Sequence, residues 1–309
     1  MLNKKIVIIG SCNTDMVVKT DRLPVPGETV LGGKFLMNPG GKGANQAVTA
    51  ARQGGQVTFI SKAGNDVFGK QSIELYSSEG INTDHIYFDD KNPSGVALIT
   101  VDAQGENCIV VASGANGTLS PKDIDKAQGE IESASIILMQ LEIPIVTVEY
   151  VAELANNKGI PVILNPAPAQ GLSENLLKCL YLITPNENEA EILSGVKVTN
   201  WETAKKAATV ISKKGVPNVV ITMGSRGALI MEGSEFHVVE SHKVEAIDTT
   251  AAGDSFTGSL CVGLAEGKNI LESVKVAAKV AAITVTRMGA QSSIPYRNEL
   301  QLMENGVSK

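Results

Sequence analysis

The stretch 249–254 consists of small side chains and one carboxylate, Asp254, and this combination suits the binding and transfer of an anionic group. Residues 244–247 before it predict a short strand, and the apolar residues after it predict a closely packed helix. Backbone N–H groups at the start of a helix point to one place, where the helix dipole adds positive potential. Asp254 would lie inside this anion site. From this stretch alone, its carboxylate is either a helix cap or a group that does chemistry.

A second segment, 38–45, contains three glycines together with Lys42 and Asn45, and it leads into a predicted helix that includes 44–51. The glycines let backbone approach a ligand closely, and the three-residue spacing places Lys42 and Asn45 on one helix face. This is not a phosphate-binding Walker A loop, because a glycine follows the lysine. Residues 64–70 have the Walker A spacing, but Phe68 would crowd the phosphates and Gln71 replaces the hydroxyl residue.

Polar groups also follow several predicted apolar strands, namely at 13–15, 140–142, 165–168, 184–189 and 222–227. Ligands of open α/β sheets bind outside the carboxyl ends of the strands. The sequence therefore predicts a ligand-binding edge, although 13–15 alone is also compatible with an Asx turn. Asn186 and Glu189 have a spacing that suits water-mediated magnesium binding or a capping box. Arg226 would be functional near phosphates but structural if it is paired on the surface.

Composition limits the other possibilities. The chain has 309 residues, 43% hydrophobic, with a net charge of −6, which argues against nucleic acid as the main partner. The four cysteines are scattered and the three histidines are dispersed, so we expect reduced thiols, a cytoplasmic protein and no histidine-based metal site. The apolar run 6–9 is too short for a signal peptide, and no run reaches the ~20 apolar residues of a membrane span.

Alternation of strands and helices predicts the α/β class, with a doubly wound, mostly parallel sheet flanked by helices. The predicted strands are 6–9, 57–61, 134–139, 160–164, 181–184, 219–222 and 244–247. The predicted helices after the one at 44–51 are 66–79, 144–158, 187–194, 201–214, 254–266 and 270–287. Extended runs at 29–31, 34–37, 95–101 and 108–112 lack flanking helices and predict a small β-sheet lid. We expect one domain, 1–309, with lid segments at about 14–38 and 94–112.

Together, these segments resemble the ribokinase family, the phosphofructokinase-B type of carbohydrate kinase, over essentially the whole chain. The resemblance implies transfer of the ATP γ-phosphate to the 5-hydroxyl of D-ribose, with Mg²⁺ and K⁺ as cofactors and a homodimer formed through the lid sheet. Asp254 would be the general base, and the N–H groups of Ala251, Ala252 and Gly253 would form the anion hole.

The resemblance also assigns the remaining site residues. Ribose would be bound by Asn13, Thr14, Asp15, Gly41, Lys42, Gly43, Ala44, Asn45, Glu142 and Asp254. Nucleotide and magnesium would be bound by Asn186, Glu189, Thr222, Met223, Gly224, Ser225, Arg226, Gly227, Gly253 and Asp254. Potassium would be bound by Asp248, Thr250, Thr284, Arg287, Gly289 and Ser293.

One position departs from the family pattern, because Ala278 and Lys279 stand where some members place a histidine near the adenine. The main alternative keeps the fold but changes the acceptor to deoxyribose, another sugar or a nucleoside. A sugar or nucleotide sensor without catalysis is disfavoured by the intact Asp254 loop. A nicotinamide-dependent enzyme is disfavoured because no Gly-x-Gly-x-x-Gly follows the first strand.

Overall fold

A nine-stranded sheet forms the centre of the molecule in a computed structural model that describes residues 4–300. Its strands are β1 (Lys5–Ile9), β4 (Gln56–Gly64), β5 (Ile86–Asp89), β8 (Ile136–Met139), β9 (Val162–Leu164), β10 (Leu182–Ile183), β11 (Asn218–Thr222), β12 (Ala228–Glu232) and β13 (Glu235–Val239). Their order in the sheet is β13-β12-β11-β10-β9-β8-β1-β4-β5. All neighbours pair in parallel except β11-β12 and β12-β13, which are antiparallel.

Within residues 4–300, the α-helices α1 to α10 accompany the sheet. They are α1 (Lys42–Arg52), α2 (Val67–Ser78), α3 (Pro121–Asp125), α4 (Gln128–Glu132), α5 (Ile145–Asn157), α6 (Glu174–Lys178), α7 (Glu187–Ser194), α8 (Trp201–Lys213), α9 (Ala252–Ala265) and α10 (Ile270–Thr284). Each face of the sheet carries its own core, and β1 shows why its sequence is apolar throughout. Ile6 and Ile8 pack into the core beneath α1, α9 and α10, whereas Val7 and Ile9 pack into the core beneath α5 and α8. The predicted doubly wound, mostly parallel sheet is therefore confirmed.

A separate four-stranded sheet has the order β3-β2-β6-β7. We call it the small sheet; its strands are β2 (Asn13–Lys19), β3 (Lys34–Gly40), β6 (Gly95–Val101) and β7 (Asn107–Ala112). The predicted strand at 29–31 is wrong, because Leu31 is 90% exposed and is followed by two glycines with left-handed φ angles of 92° and 120°. The strand that we missed is β2, which continues from polar residues that resembled a turn.

Two further predictions near the site need correction. Residues 244–247 form no strand, since Ile247 is 61% exposed and nothing pairs with this segment as a ladder. The last helix ends at Thr284 rather than at 287, and the Val285 carbonyl accepts hydrogen bonds from the N–H groups of Ile247 and Asp248 at 2.7 and 3.2 Å. The segments before α9 and after α10 are thus loops that contact each other. Across residues 4–300, no helix is long and apolar enough to cross a membrane.

Candidate active site

The first turn of α9 has an unusual backbone. Ala251 adopts a left-handed conformation (φ 61°), and it is the sole non-glycine residue with positive φ in the part of the chain that the structure describes. Such a residue costs on the order of 1 kcal/mol, and strain of this kind concentrates at functional sites. The Ala252 N–H donates to the Thr249 carbonyl at 3.2 Å, which closes the turn. A Cβ built on Gly253 would meet nothing within 4 Å, so this turn is open on its outer side.

Asp254 lies in this turn, only 7% exposed, and its carboxylate points at helix α1. Asn45 Nδ2 donates to Asp254 Oδ2 at 3.0 Å, and Gln46 Nε2 donates to Oδ1 at 2.9 Å. The residue at the helix cap is Ala251, which makes no side-chain capping bond. The capping alternative for Asp254 is therefore wrong, and its chemical role stays a prediction. Each carboxylate oxygen has two lone pairs, so both can still accept a bond from a substrate hydroxyl.

Among the predicted sugar ligands, Asn45 contacts this carboxylate directly, and Lys42 lies close enough to be influenced by its charge. Glu142 Oε2 accepts from Ser11 Oγ at 2.5 Å and from the Lys42 N–H at 3.0 Å, which ties the end of β8 to the start of α1. Asn13 is 4% exposed, and its Oδ1 accepts from Asn116 Nδ2 at 2.7 Å. Ser11 and Asn116 were not predicted. Asn116 belongs to a short 3-10 turn that carries no ligand-type motif, so no sequence pattern pointed to it.

The ionisable side chains near Asp254 shift one another's pKa values. Burial, reinforced by the negative charges of Glu142 and Asp254, raises the pKa of Asp15 to about 6. The negative charge of Asp254 raises the pKa of Lys42 despite the opposing effect of burial, and Glu142 acts in the same direction as Asp254. Lys42 therefore stays protonated as the cation among these carboxylates. A cluster of this kind offers both donors and acceptors to a polyol.

The glycines before α1 allow close packing of the chain on itself rather than open access for a ligand. A Cβ on Gly41 (φ 89°) would lie 2.7 Å from the Asn13 nitrogen, and one on Gly43 would lie 2.6 Å from the Ser11 nitrogen. Helix α1 consequently starts directly against the turn between β1 and β2. Ala44 is fully buried in the core, and Thr14 is buried in β2, so neither presents an exposed side chain.

Asn186 and Glu189 form a capping box at the start of α7. The Glu189 carboxylate accepts from the Asn186 backbone N–H at 2.8 Å and from Asn186 Nδ2 at 2.9 Å, and Asn186 Oδ1 accepts from the Glu189 N–H at 2.9 Å. Burial raises the pKa of Glu189. Within residues 4–300, no three His, Cys, Asp or Glu side chains cluster as direct ligands of a metal ion. A role of this pair in magnesium binding through water stays a prediction.

Residues 222–227 lie beside this helix, where the Thr222 N–H donates to the Pro185 carbonyl at 2.9 Å. Met223 is 2% exposed and belongs to the core. Arg226 pairs with Glu187 and also donates to the Thr199 carbonyl, which corresponds to the surface-pair alternative. Gly224 faces open space, whereas Ser225 accepts a bond on its carbonyl from the Ser241 hydroxyl and Gly227 packs against β13.

The residues predicted to bind potassium come from two loops that meet. Asp248 Oδ1 accepts from the Thr250 hydroxyl at 2.6 Å, and Oδ2 accepts from the Gly289 N–H at 2.9 Å. Burial opposes ionisation, but these hydrogen bonds hold the pKa of Asp248 below its ordinary value. The Arg287 guanidinium pairs with Glu299 at 2.6 Å, so only its backbone could serve a cation.

The other two side chains of this predicted set bond to backbone carbonyls. The Thr284 hydroxyl donates to Val280 and the Ser293 hydroxyl to Ala290. At the position where the family pattern is broken, Ala278 is buried in the core beneath α10. The structure therefore brings Asp248, Thr250 and Gly289 into direct contact, while the hydroxyls of Thr284 and Ser293 satisfy neighbouring backbone.

Known carbohydrate kinases are similar to this chain over nearly its whole length. The model of the pfkB family of carbohydrate kinases matches residues 3–297. A ribokinase from Haemophilus influenzae is 44% identical over 305 residues, which cover 98% of this chain and 100% of that protein. A deoxyribokinase from Salmonella typhimurium is 39% identical over 292 residues, which cover 94% and 95%. The structure of Arabidopsis thaliana ribokinase complexed with ribose and ATP has a TM-score of 0.89 and 30% identity, and covers 97% of this chain and 98% of that one.

Proposed function

Because the chain belongs to the pfkB family of carbohydrate kinases, we propose that it is an ATP-dependent ribokinase that converts D-ribose to D-ribose 5-phosphate. The observation that carries the proposal is the placement of Asp254. Two amides hold its carboxylate at the open first turn of α9, where its negative charge acts on Asp15 and Lys42, two of the residues that we expect to bind the sugar. The ribokinase from Haemophilus influenzae and the ribose complex from Arabidopsis thaliana support ribose as the acceptor.

The reaction follows from this arrangement. The ribose 5-oxygen attacks the γ-phosphorus of ATP, the bond from that phosphorus to the bridging oxygen breaks towards ADP, and the hydroxyl proton passes to Asp254. A positioned base of this kind contributes ~10²–10⁴-fold to the rate. The N–H groups of Ala251 and Gly253 at the start of α9 would stabilise the negative charge on the transferred phosphoryl group, and the Ala252 N–H would join them only by leaving the Thr249 carbonyl. Phosphoryl transfer needs mainly alignment and charge neutralisation, which this geometry supplies.

Magnesium and potassium complete the proposal. Magnesium usually keeps several waters and binds oxygen, and it neutralises phosphate charge when it is bound. The oxygens of Asn186 and Glu189 fit this role through water, because their direct bonds are to each other. Asp248, together with backbone carbonyls of the 284–293 loop, offers the oxygen ligands that a monovalent cation needs. Asp248 joins this loop to the segment that leads into α9, so a cation there would stabilise both.

Residues 222–227 would line the nucleotide, mainly through the open backbone at Gly224. We also propose that two copies of the chain pair through the small sheet. All six residues of its edge strand β7 are exposed, including the large apolar side chains Ile109, Val110 and Val111. An exposed apolar edge strand is a liability unless a partner covers it. Since ATP is the phosphoryl donor, we place the protein in the cytoplasm.

A second acceptor deserves testing because the Salmonella typhimurium relative is a deoxyribokinase. Rates with D-ribose, 2-deoxy-D-ribose, fructose and a nucleoside should be compared at equal concentrations, and the product should be identified by phosphorus NMR. We expect D-ribose to give the highest kcat/KM and the phosphate to appear on the 5-oxygen. A higher kcat/KM for 2-deoxy-D-ribose would show that 2-deoxy-D-ribose, and not D-ribose, is the preferred acceptor.

A further inference from the structure

A row of buried amide side chains lies directly behind Asp254, and the reaction described above gives these amides no role. Gln46 Nε2 donates one hydrogen to Asp254 Oδ1 at 2.9 Å and the other to Asn165 Oδ1 at 3.1 Å. Gln46 Oε1 accepts from Gln140 Nε2 at 2.5 Å. Gln46 and Gln140 are 0% exposed. The orientation of the Gln46 amide is therefore fixed at both of its ends.

The row is anchored to the strands of the main sheet. Gln140 directly follows β8, and its Oε1 lies so close to Gly10, after β1, that a Cβ on Gly10 would be 2.1 Å from it. Asn165 directly follows β9, and its Nδ2 donates to the Thr184 carbonyl beyond β10 at 3.1 Å. These strands are hydrogen-bonded neighbours in the rigid sheet. Through these amides, the edge of the main sheet fixes the position of one carboxylate oxygen of Asp254 on α9.

We propose that Gln46 is a positioning residue for phosphoryl transfer, which holds Asp254 Oδ1 so that the carboxylate meets the acceptor hydroxyl in one orientation. This inference rests on the proposed role of Asp254 as the base. Gln46 is fully buried and reaches the reaction only through Asp254. Asn45 holds the other oxygen from the same helix, so the carboxylate cannot rotate without breaking one of the two bonds. Misplacement of a reacting group by about 1 Å can cost 10²-fold in rate.

The test replaces Gln46 by methionine, which keeps the length of the side chain but cannot donate. We expect kcat to fall about 10²-fold, because Asp254 loses its fixed orientation. The KM values for ATP and ribose should stay within about threefold, since ground-state binding does not use Gln46. The matched control is Gln53→Met at the C-terminal cap of the same helix. Gln53 is also buried, but its Nε2 donates to the Pro295 carbonyl at 2.8 Å, so kcat should be retained.

A double-mutant cycle separates positioning from general damage. In an Asp254→Ala background, Gln46→Met should have no further effect on the residual rate, because the carboxylate that it positions is gone. Gln140→Met, which frees Gln46 Oε1 without touching Asp254, provides a second variant if Gln46→Met folds poorly. It should also lower kcat, and only when Asp254 is present.

These rates show separately whether Gln46 positions Asp254 and whether Asp254 is the base. An equal loss in both backgrounds, or a loss no larger than that of Gln53→Met, would overturn the positioning role while leaving Asp254 as the base. An undiminished rate in Asp254→Ala would overturn the proposed mechanism, and the inference with it.

Discussion

Replacement of Asp254 by asparagine should remove most turnover while the protein stays folded and binds nucleotide. The new side chain has almost the same shape but cannot accept the proton, so kcat should fall ~10²–10⁴-fold. Both neighbours of the carboxylate, Asn45 and Gln46, donate to it. The new NH₂ group must therefore face one of these donors, and the lost bond should cost about 1–3 kcal/mol of stability. Domains of this kind are typically stable by ~5–15 kcal/mol, so the variant should fold.

The matched control for this variant is Asp123→Asn. Asp123 is 5% exposed and bonds to Lys62 and Lys126 at 3.0 and 2.9 Å, far from α9 in the fold. Its replacement should lower the melting temperature but leave kcat unchanged. ADP release gives kcat, and calorimetry with a non-hydrolysable ATP analogue gives nucleotide affinity, which we expect to stay within about threefold. A kcat for Asp254→Asn within about threefold of the wild type would refute the assigned base.

Three further predictions follow from the charges and surfaces. The pKa of Asp15 rises to about 6 on folding, from 3.8 in the unfolded chain, so ionised Asp15 destabilises the fold when the pH is above 3.8. Asp15→Asn should therefore raise the melting temperature at pH 8 but not at pH 3.5. Equal shifts at both pH values would contradict this prediction. Arg226→Ala should change the KM for ATP by less than about threefold, since the guanidinium pairs with Glu187 on the surface; a tenfold increase would restore the phosphate role. Val110→Asp should give a monomer in sedimentation velocity. The control Val146→Asp changes a similarly exposed valine on α5 and should leave the dimer intact. A monomeric wild-type protein would contradict the proposed dimer.

The main sheet could be predicted from the sequence because its strands are apolar runs whose residues face cores on both sides. Edge elements carried weaker signals. Strand β5 has four residues with only one of them buried, and the edge strand β13 has five residues with only one of them buried. Strand β12 is an inner strand that is mostly buried, and it escaped prediction because it follows a glycine-rich turn. Residues 244–247 show the opposite error, since an apolar run without a neighbouring strand remains a loop.

Asp254 and Lys42 stand out in the sequence within small-residue motifs, and the family resemblance adds Glu142; their chemical roles stay predictions. The residues that support them could not be predicted from the sequence. Gln46 and Asp254 are 208 positions apart, and their contact depends on how α1 crosses α9. Single-sequence patterns contain no information on such a crossing. The capping box of Asn186 and Glu189 and the surface pair of Arg226 are visible only in the geometry, and the capping box leaves water-mediated magnesium binding as a prediction.

Ribose phosphorylation is best tested by measuring ADP release from Mg-ATP with D-ribose, with and without potassium, beside assays without any acceptor. We expect turnover that requires ribose and increases with potassium, because the reaction would use the Asp254 site and the two loops that Asp248 joins. Turnover that requires another acceptor instead would retain Asp254 as the base but overturn the interpretation of Asn13, Lys42 and Glu142 as ribose ligands. An absence of acceptor-dependent ADP release would contradict the proposal that the protein is a kinase of ribose or of any other acceptor tested.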